Sequence, residues 1–391
     1  MEYDHNNPRE VIEEDRLSNL PDELIHKIMS CFDIKFSVQT CLLSLRWESL
    51  WKSLPYLNFS STQFGTLPKF DEFVTHILTH RNHQIEVSSV NLNFRGAVNQ
   101  SFVKKIASYA FSHNVQQLDV TCWPNAVDIA NFHSCLFSSQ TLKHYTLSSL
   151  LAYASCITPK TPLDFPSLTT LNLGGFSLRG YKRKEFVDLF SKCVNLKNLT
   201  LGRFLLQSVD VFDIITPRLS NLILSNGHCS KVMNVIAPQL ENLTIKDCSI
   251  KCLNAPSRIS SFCYIGYPPL KLCKDGFDSL NKVSVCLSTN CSKMTYEKEY
   301  EYACKIINML HEFHSAKYLT LDVGIIECIS SFPDLLSQNP SPFSNLKMLT
   351  IVDFSMKKDA AYKVKMFTES RNFFLENSPN CKLIIDLCKV L

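Results

Sequence analysis

The chain has 391 residues, 45% of them hydrophobic, with 40 basic against 36 acidic side chains and a formal charge of +4. So small a positive excess favours neither a nucleic-acid partner nor a surface drawn to membranes. With 17 prolines and only 10 glycines, collagen-like and glycine-linker sequences are excluded, and the apolar content allows a large core. The 17 cysteines are odd in number, scattered among apolar positions and never spaced C-x-x-C. Most of them read as small buried hydrophobes in a reducing compartment, the nucleus or the cytoplasm, and not as zinc ligands or a disulfide framework. No apolar run reaches the ~18 residues that suggest a membrane span, and the opening MEYDHNNPREVIEEDR has no signal-peptide core.

Residues 1–14 are polar and mostly acidic, without an apolar period, and read as a disordered leader. Residues 15–59 read as three short helices. Pro21 suits the first position of a helix, where its missing N–H is no loss, and Asp22 and Glu23 place negative charge on the donor-rich first turn. Leu24, Ile25, Ile28, Met29 and Phe32 then form a stripe broader than a minimal bundle needs. A second run starts from Ser37 as N-cap and carries Val38, Cys41, Leu42 and Leu45. Trp47, Leu50, Trp51 and Leu54 make a further apolar face before Pro55 closes the region. A unit of roughly 40 residues seldom buries enough surface to stand alone, so association is its natural means of stabilisation.

From there the chain repeats the pattern L-x-x-L-x-L. After Leu54/Leu57/Phe59 come eleven copies, from Val87/Val90/Leu92 through Leu196/Leu199/Leu201 to Leu346/Leu349/Ile351, with first positions 19 to 36 residues apart. That period is close to the roughly 20–29 residues of leucine-rich repeats, whose short strands bury their apolar face only by stacking in a parallel sheet. Helices are expected outside that sheet, at residues 102–111, 184–194 and 300–313. The shorter repeats between 219 and 285 have room only for turns or a single helical turn.

The order DRLSNLPDELIHKIMS, VQTCLLSLRW, LWKSLP closely resembles the F-box of plant F-box/leucine-rich-repeat proteins. FDEFVTHILTH, FVKKIASYAFSHNVQQLDV and FPSLTTLNLGGFSL resemble their first repeats, and FFLENSPNCKLIIDL is similar to the close of their FBD segment. The resemblance implies an α/β chain: a three-helix F-box at 15–59, a solenoid with its parallel sheet on the concave face at 60–340, and a last repeat with an FBD-like cap at 341–391. It also implies a non-catalytic substrate receptor of a Skp-cullin-F-box ubiquitin ligase, bound to a Skp-type adaptor through Leu20, Pro21, Leu24, Ile25, Ile28, Leu42 and Trp47, and through that adaptor to cullin. Phe36, Gln39 and Leu45 stand where the family commonly has charge, and Asp33 where it usually has proline. A small-molecule receptor and a non-ligase scaffold are the alternative classes.

No cofactor, metal or catalytic constellation is expected. His311 and His314 are three apart with Glu312 between them, whereas H-E-x-x-H needs a spacing of four. Asn198 and Asn242 match the glycosylation sequon but lie inside strand copies. Arg179, Lys182, Arg183 and Lys184 form a basic run that reads as a solvated turn. Between the last two apolar positions of each copy lies a residue facing the open side of the sheet. Across the eleven copies only Asp119 is charged there. Asn172, Thr200, Thr244, Ser284 and Thr320 are the candidate target-facing residues of this neutral floor, which lacks the clustered cations that phosphates require.

Overall fold

Each copy of the repeat points two apolar side chains to one side of an extended backbone and leaves both backbone edges in need of partners. In the structure, a computed structural model, the copies supply those partners to one another. The structure describes residues 17, 19–96, 100–123, 134–150, 159, 161–178, 187–206, 209–270, 277–287, 295–353 and 368–386. Thirteen strands form one sheet, and every neighbouring pair is parallel. All eleven copies are strands of it, preceded by Tyr56–Ser60 and followed by Lys382–Asp386. The leucines stay in register: Leu222 pairs with Leu199 on one side and Leu243 on the other, and all three are buried.

The N-terminal helices are α1 (Asp22–Met29), α2 (Ile34–Gln39) and α3 (Leu45–Leu50), with a 3₁₀ turn, Trp51–Ser53, leading into the first strand. The second helix starts before Ser37. Its N-cap is Asp33, whose carboxylate accepts from the Phe36 N–H at 3.0 Å, while Ser37 is buried and bonds back to Met29 O and Asp33 O. On the outer side of the sheet lie α4 (Leu67–His80), α5 (Ser101–Ser112) and α6 (Tyr296–His311), so the helices expected at 102–111 and 300–313 are present.

In the middle repeats the outer wall is a second parallel sheet. Its strands are Val187–Asp188, Leu205–Leu206, Val211–Ile215, His228–Ile236 and Ser249–Asn254. The chain reaches it by one repeated turn. Arg203, Asn226 and Asp247, each just past an inner strand, have φ of 49°, 51° and 49°. Their N–H groups donate to Ser225, Lys246 and Ile265 carbonyls at 2.8, 2.8 and 2.7 Å, so each turn is hydrogen-bonded to the next repeat.

Two expectations fail here. The shorter repeats carry outer strands and not bare turns. The described part of the helix expected at 184–194 is also a strand followed by a turn. Val187–Asp188 pairs with Phe212–Asp213, and the Asp188 carboxylate accepts from the Phe190 and Ser191 N–H groups, which bends the backbone away from a helix. Leu189, Phe190 and Cys193 are buried as the helical period required, but in a turn. Eleven described cysteines are free thiols, whereas Cys252 is disulfide-bonded and so departs from the thiol reading. The leader and the basic run at 179–184 lie outside the described residues.

The first two long helices are pinned by Asp71, which accepts from Lys105 Nζ at 2.7 Å and from Ser101 Oγ at 2.5 Å. Burial works to raise its proton affinity, but those hydrogen bonds and the Lys105 charge hold the carboxyl below the usual carboxylate range. A depressed folded-state pKa stabilises at neutral pH and is lost as pH falls below the ordinary carboxylate value toward the lowered one. Asp71→Asn is therefore expected to lower stability at neutral pH and to flatten its decline in that acid window, measured by urea unfolding from pH 6 downward. An unchanged pH profile rejects this role.

Candidate functional site

The N-terminal helices sort their apolar residues into two sets. Ile25, Met29, Ile34, Trp47, Leu50, Trp51 and Leu54 are buried and form the interior of the unit, continuous with Leu57 and Phe59 of the first strand. By contrast Leu24, Ile28, Phe32, Phe36, Leu42, Leu43 and Leu45 are exposed, Leu42 and Leu45 each at 88%. The frame is held by Arg46 Nη2 to Asp22 at 2.5 Å and by His26 Nε2 to Ser53 Oγ at 3.1 Å. Eight apolar side chains, counting Leu17, stand in water on one small unit. That is far from the scattered single exposures normal for a monomer, and it marks an interaction surface.

The seven residues named for adaptor contact divide accordingly. Pro21, Leu24, Ile28 and Leu42 are on the exposed side and Leu20 is half-buried against the core, but Ile25 is 0% and Trp47 3% exposed. Those two cannot meet a partner in this conformation. Periodicity placed them on the right helices without saying which side of a broad stripe faces inward. Phe32, Phe36, Leu43 and Leu45 join the surface instead. The signal for two of them was present, since Phe36 and Leu45 are apolar where the resemblance expects charge.

The second surface is the uncovered face of the large sheet. Asn91, Asp119, Thr146, Asn172, Thr200, Ile223, Thr244, Cys263, Ser284, Thr320 and Thr350 pair one with the next and form a single row. Asn172, Thr200, Thr244, Ser284 and Thr320 all lie in it, each half-buried. Asp119, the row's single charge, accepts from Gln117 Nε2 at 2.8 Å. Two positions earlier, on the same face, runs an amide ladder: Asn242 Nδ2 donates to Asn221 Oδ1 at 2.6 Å, Asn221 Nδ2 to Asn198 Oδ1 at 2.7 Å, and Asn198 Nδ2 to Thr170 Oγ1 at 3.2 Å. The two sequon asparagines are thus committed to their neighbours. The sequence carried this signal in three successive copies beginning Asn-Leu. Beside the ladder, Thr200, Ile223 and Thr244 help line a shallow hollow of 300 Å³.

Arg203 adds a cation to this face. It donates from Nε to Ser149 O at 3.2 Å and from Nη2 to Ser148 Oγ at 2.9 Å, two strands away, and a Cβ at Gly174 would displace the Arg203 and Ser148 side-chain ends from this position. Among the described residues no group of three His, Cys, Asp or Glu side chains could hold a metal. No helix there is long and apolar enough to cross a membrane. His311, from the H-E-x-H stretch, lies edge-on to Phe373, and burial lowers its pKa.

The class is set by the fold, a helical unit with exposed apolar residues fused to a leucine-rich-repeat sheet. Residues 17–59 match the F-box domain, and residues 103–286 match the leucine-rich repeats of FBD-associated F-box protein At5g56370. The chain belongs to the plant F-box/leucine-rich-repeat family. Among similar Arabidopsis thaliana proteins, F-box/FBD/LRR-repeat protein At3g51530 is 30% identical over 60% of this chain and 50% of its own length. F-box/LRR-repeat protein At3g26922 is 29% identical over 81% of this chain and 92% of its own. F-box/FBD/LRR-repeat protein At3g52680 is 31% identical over 65% and 56%. The chain thus spans about half the length of two of these three relatives.

The burial split separates folding from exposure. Trp47→Ala is expected to destabilise the protein by about 3–5 kcal/mol, whereas Leu42→Asp should change stability by no more than about 0.5 kcal/mol. Denaturant unfolding of both variants checks this, and equal losses contradict the assignment.

Proposed function

We propose that the chain is the substrate-recognition subunit of a Skp-cullin-F-box ubiquitin ligase, acting in the nucleus or cytoplasm. F-box domains bind Skp-type adaptors, and F-box/leucine-rich-repeat proteins are in general non-catalytic adaptors. The observation that carries the reading is the exposed apolar comb of Leu24, Ile28, Phe36, Leu42 and Leu45 on a unit whose own core is already complete. Burying such side chains against a partner is favourable by about 1.5–3 kcal/mol each. That is enough for a stable contact after the losses of association.

The open face of the sheet then holds the target. Its row, mostly Asn, Thr and Ser with Asp119 as its one charge, offers hydrogen bonds without the clustered cations that phosphates require, which favours a protein segment over nucleic acid. Catalysis is by proximity: a target fixed near a loaded conjugating enzyme meets it at a high effective concentration. No nucleophile, cofactor or metal is asked of this chain.

The test is capture of a Skp-type adaptor by the tagged full chain. We expect wild type to retain it and Leu42→Asp/Leu45→Asp to lose at least ten-fold of the bound adaptor while melting at the wild-type temperature. Equal capture by a folded double variant overturns the proposal.

A further inference from the structure

The outer sheet ends for a reason written in the sequence. Ser177, Leu205, His228 and Ser249 pair in turn as the first residues of the outer ladder. Each stands three residues past Gly174, Gly202, Ser225 and Lys246, which pair across the inner sheet. Lys246 pairs with Ile265, and three residues past Ile265 stands Pro268, followed by Pro269. Proline has no N–H to give a ladder, so these residues cannot continue it. Among the described residues the next outer element is a helix, α6, and where the strand wall gives way to the helical wall the structure holds a cavity of 680 Å³.

The cavity's chemistry is two-sided. Cys248, Ile250, Tyr264, Leu270 and Met309 form an apolar interior, each less than a tenth exposed. Burial pushes the Cys248 thiol up to about 11, so it is a neutral wall and no nucleophile at neutral pH. His228, Lys251, Lys305 and Glu312 stand among the lining. Lys305 is held by Glu301 at 2.7 Å, whereas the exposed Lys251 takes part in no ion pair among the described residues. The volume falls within the range of about 300–1,000 Å³ usual for sites that enclose drug-sized ligands.

We propose that this seam binds a small amphipathic organic acid reversibly, its apolar body between the outer strands and α6 and its anionic group at Lys251. Glu312 repels the anion and so orients it toward the lysine. The site lies on the wall opposite the target-facing row. It does not depend on the adaptor reading.

The test compares two fluorescent probes of nearly the same apolar body, the anion 1-anilinonaphthalene-8-sulfonate and the neutral N-phenyl-1-naphthylamine, on the full chain. We expect one saturable site that prefers the anion about ten-fold. Lys251→Glu should abolish that preference, and Met309→Trp, which fills the cavity, should abolish binding. Leu42→Asp/Leu45→Asp should retain the site, which separates it from the exposed F-box comb. No saturable binding, binding that disappears with the F-box variant, or an anion preference unchanged in Lys251→Glu overturns the proposal. Lys251 is exposed, so the charge reversal is informative even if Met309→Trp fails to fold.

Discussion

Everything in this protein hangs on the parallel register of short strands that cannot exist alone. A five-residue strand such as Asn221–Ser225 buries Leu222 and Leu224 and leaves Asn221, Ile223 and Ser225 to the other face. A slip of one residue against either neighbour would exchange those faces and put leucines into water. The amide ladder reinforces the same register, since Asn198, Asn221 and Asn242 bond only when their strands are level. Folding the solenoid and aligning the row on its open face are therefore one event.

The repeat period and the leucine pattern made the large sheet legible, because they specify which residues are inward and where each strand begins. The outer wall was less so. A helical period at 184–194 and an outer strand bury much the same apolar residues, and the choice between them rests on a neighbour, Phe212–Asp213, that the local sequence does not contain. The turns were partly legible: Asn226 and Asp247 are residue types that tolerate positive φ, whereas Arg203 is not. Its side chain spans to Ser148 and Ser149, and those hydrogen bonds offset a backbone strain of about 1–2 kcal/mol.

In the N-terminal unit the helices were legible and their orientation was not. Ile25 and Ile28 belong to the same stripe, yet one is sealed and the other faces water. Which edge of a broad stripe turns inward is a tertiary fact: Ile25 shares the buried core with Trp47 and Trp51, and no local pattern states that. The apolar residues at Phe36 and Leu45, read from sequence as departures from the family pattern, turn out to extend the exposed surface.

The F-box also solves a problem of the repeats. A parallel sheet built by addition has two open edges, and the first strand's edge is a template for unwanted pairing. Here Leu54 and Leu57 carry the helical core directly into the sheet's core, Asn82 N–H donates to Lys52 O at 2.9 Å, and Lys35 donates to Gln63 O at 3.0 Å. The row on the open face is extended one strand further by Asn58, which pairs with Asn91 and reaches Phe32 O at 3.5 Å. Under the proposed function, proximity catalysis asks that what holds the target be rigid with respect to what holds the ligase. A helical unit that shares its core with the first strand and also bears the exposed apolar residues would serve that requirement without a linker.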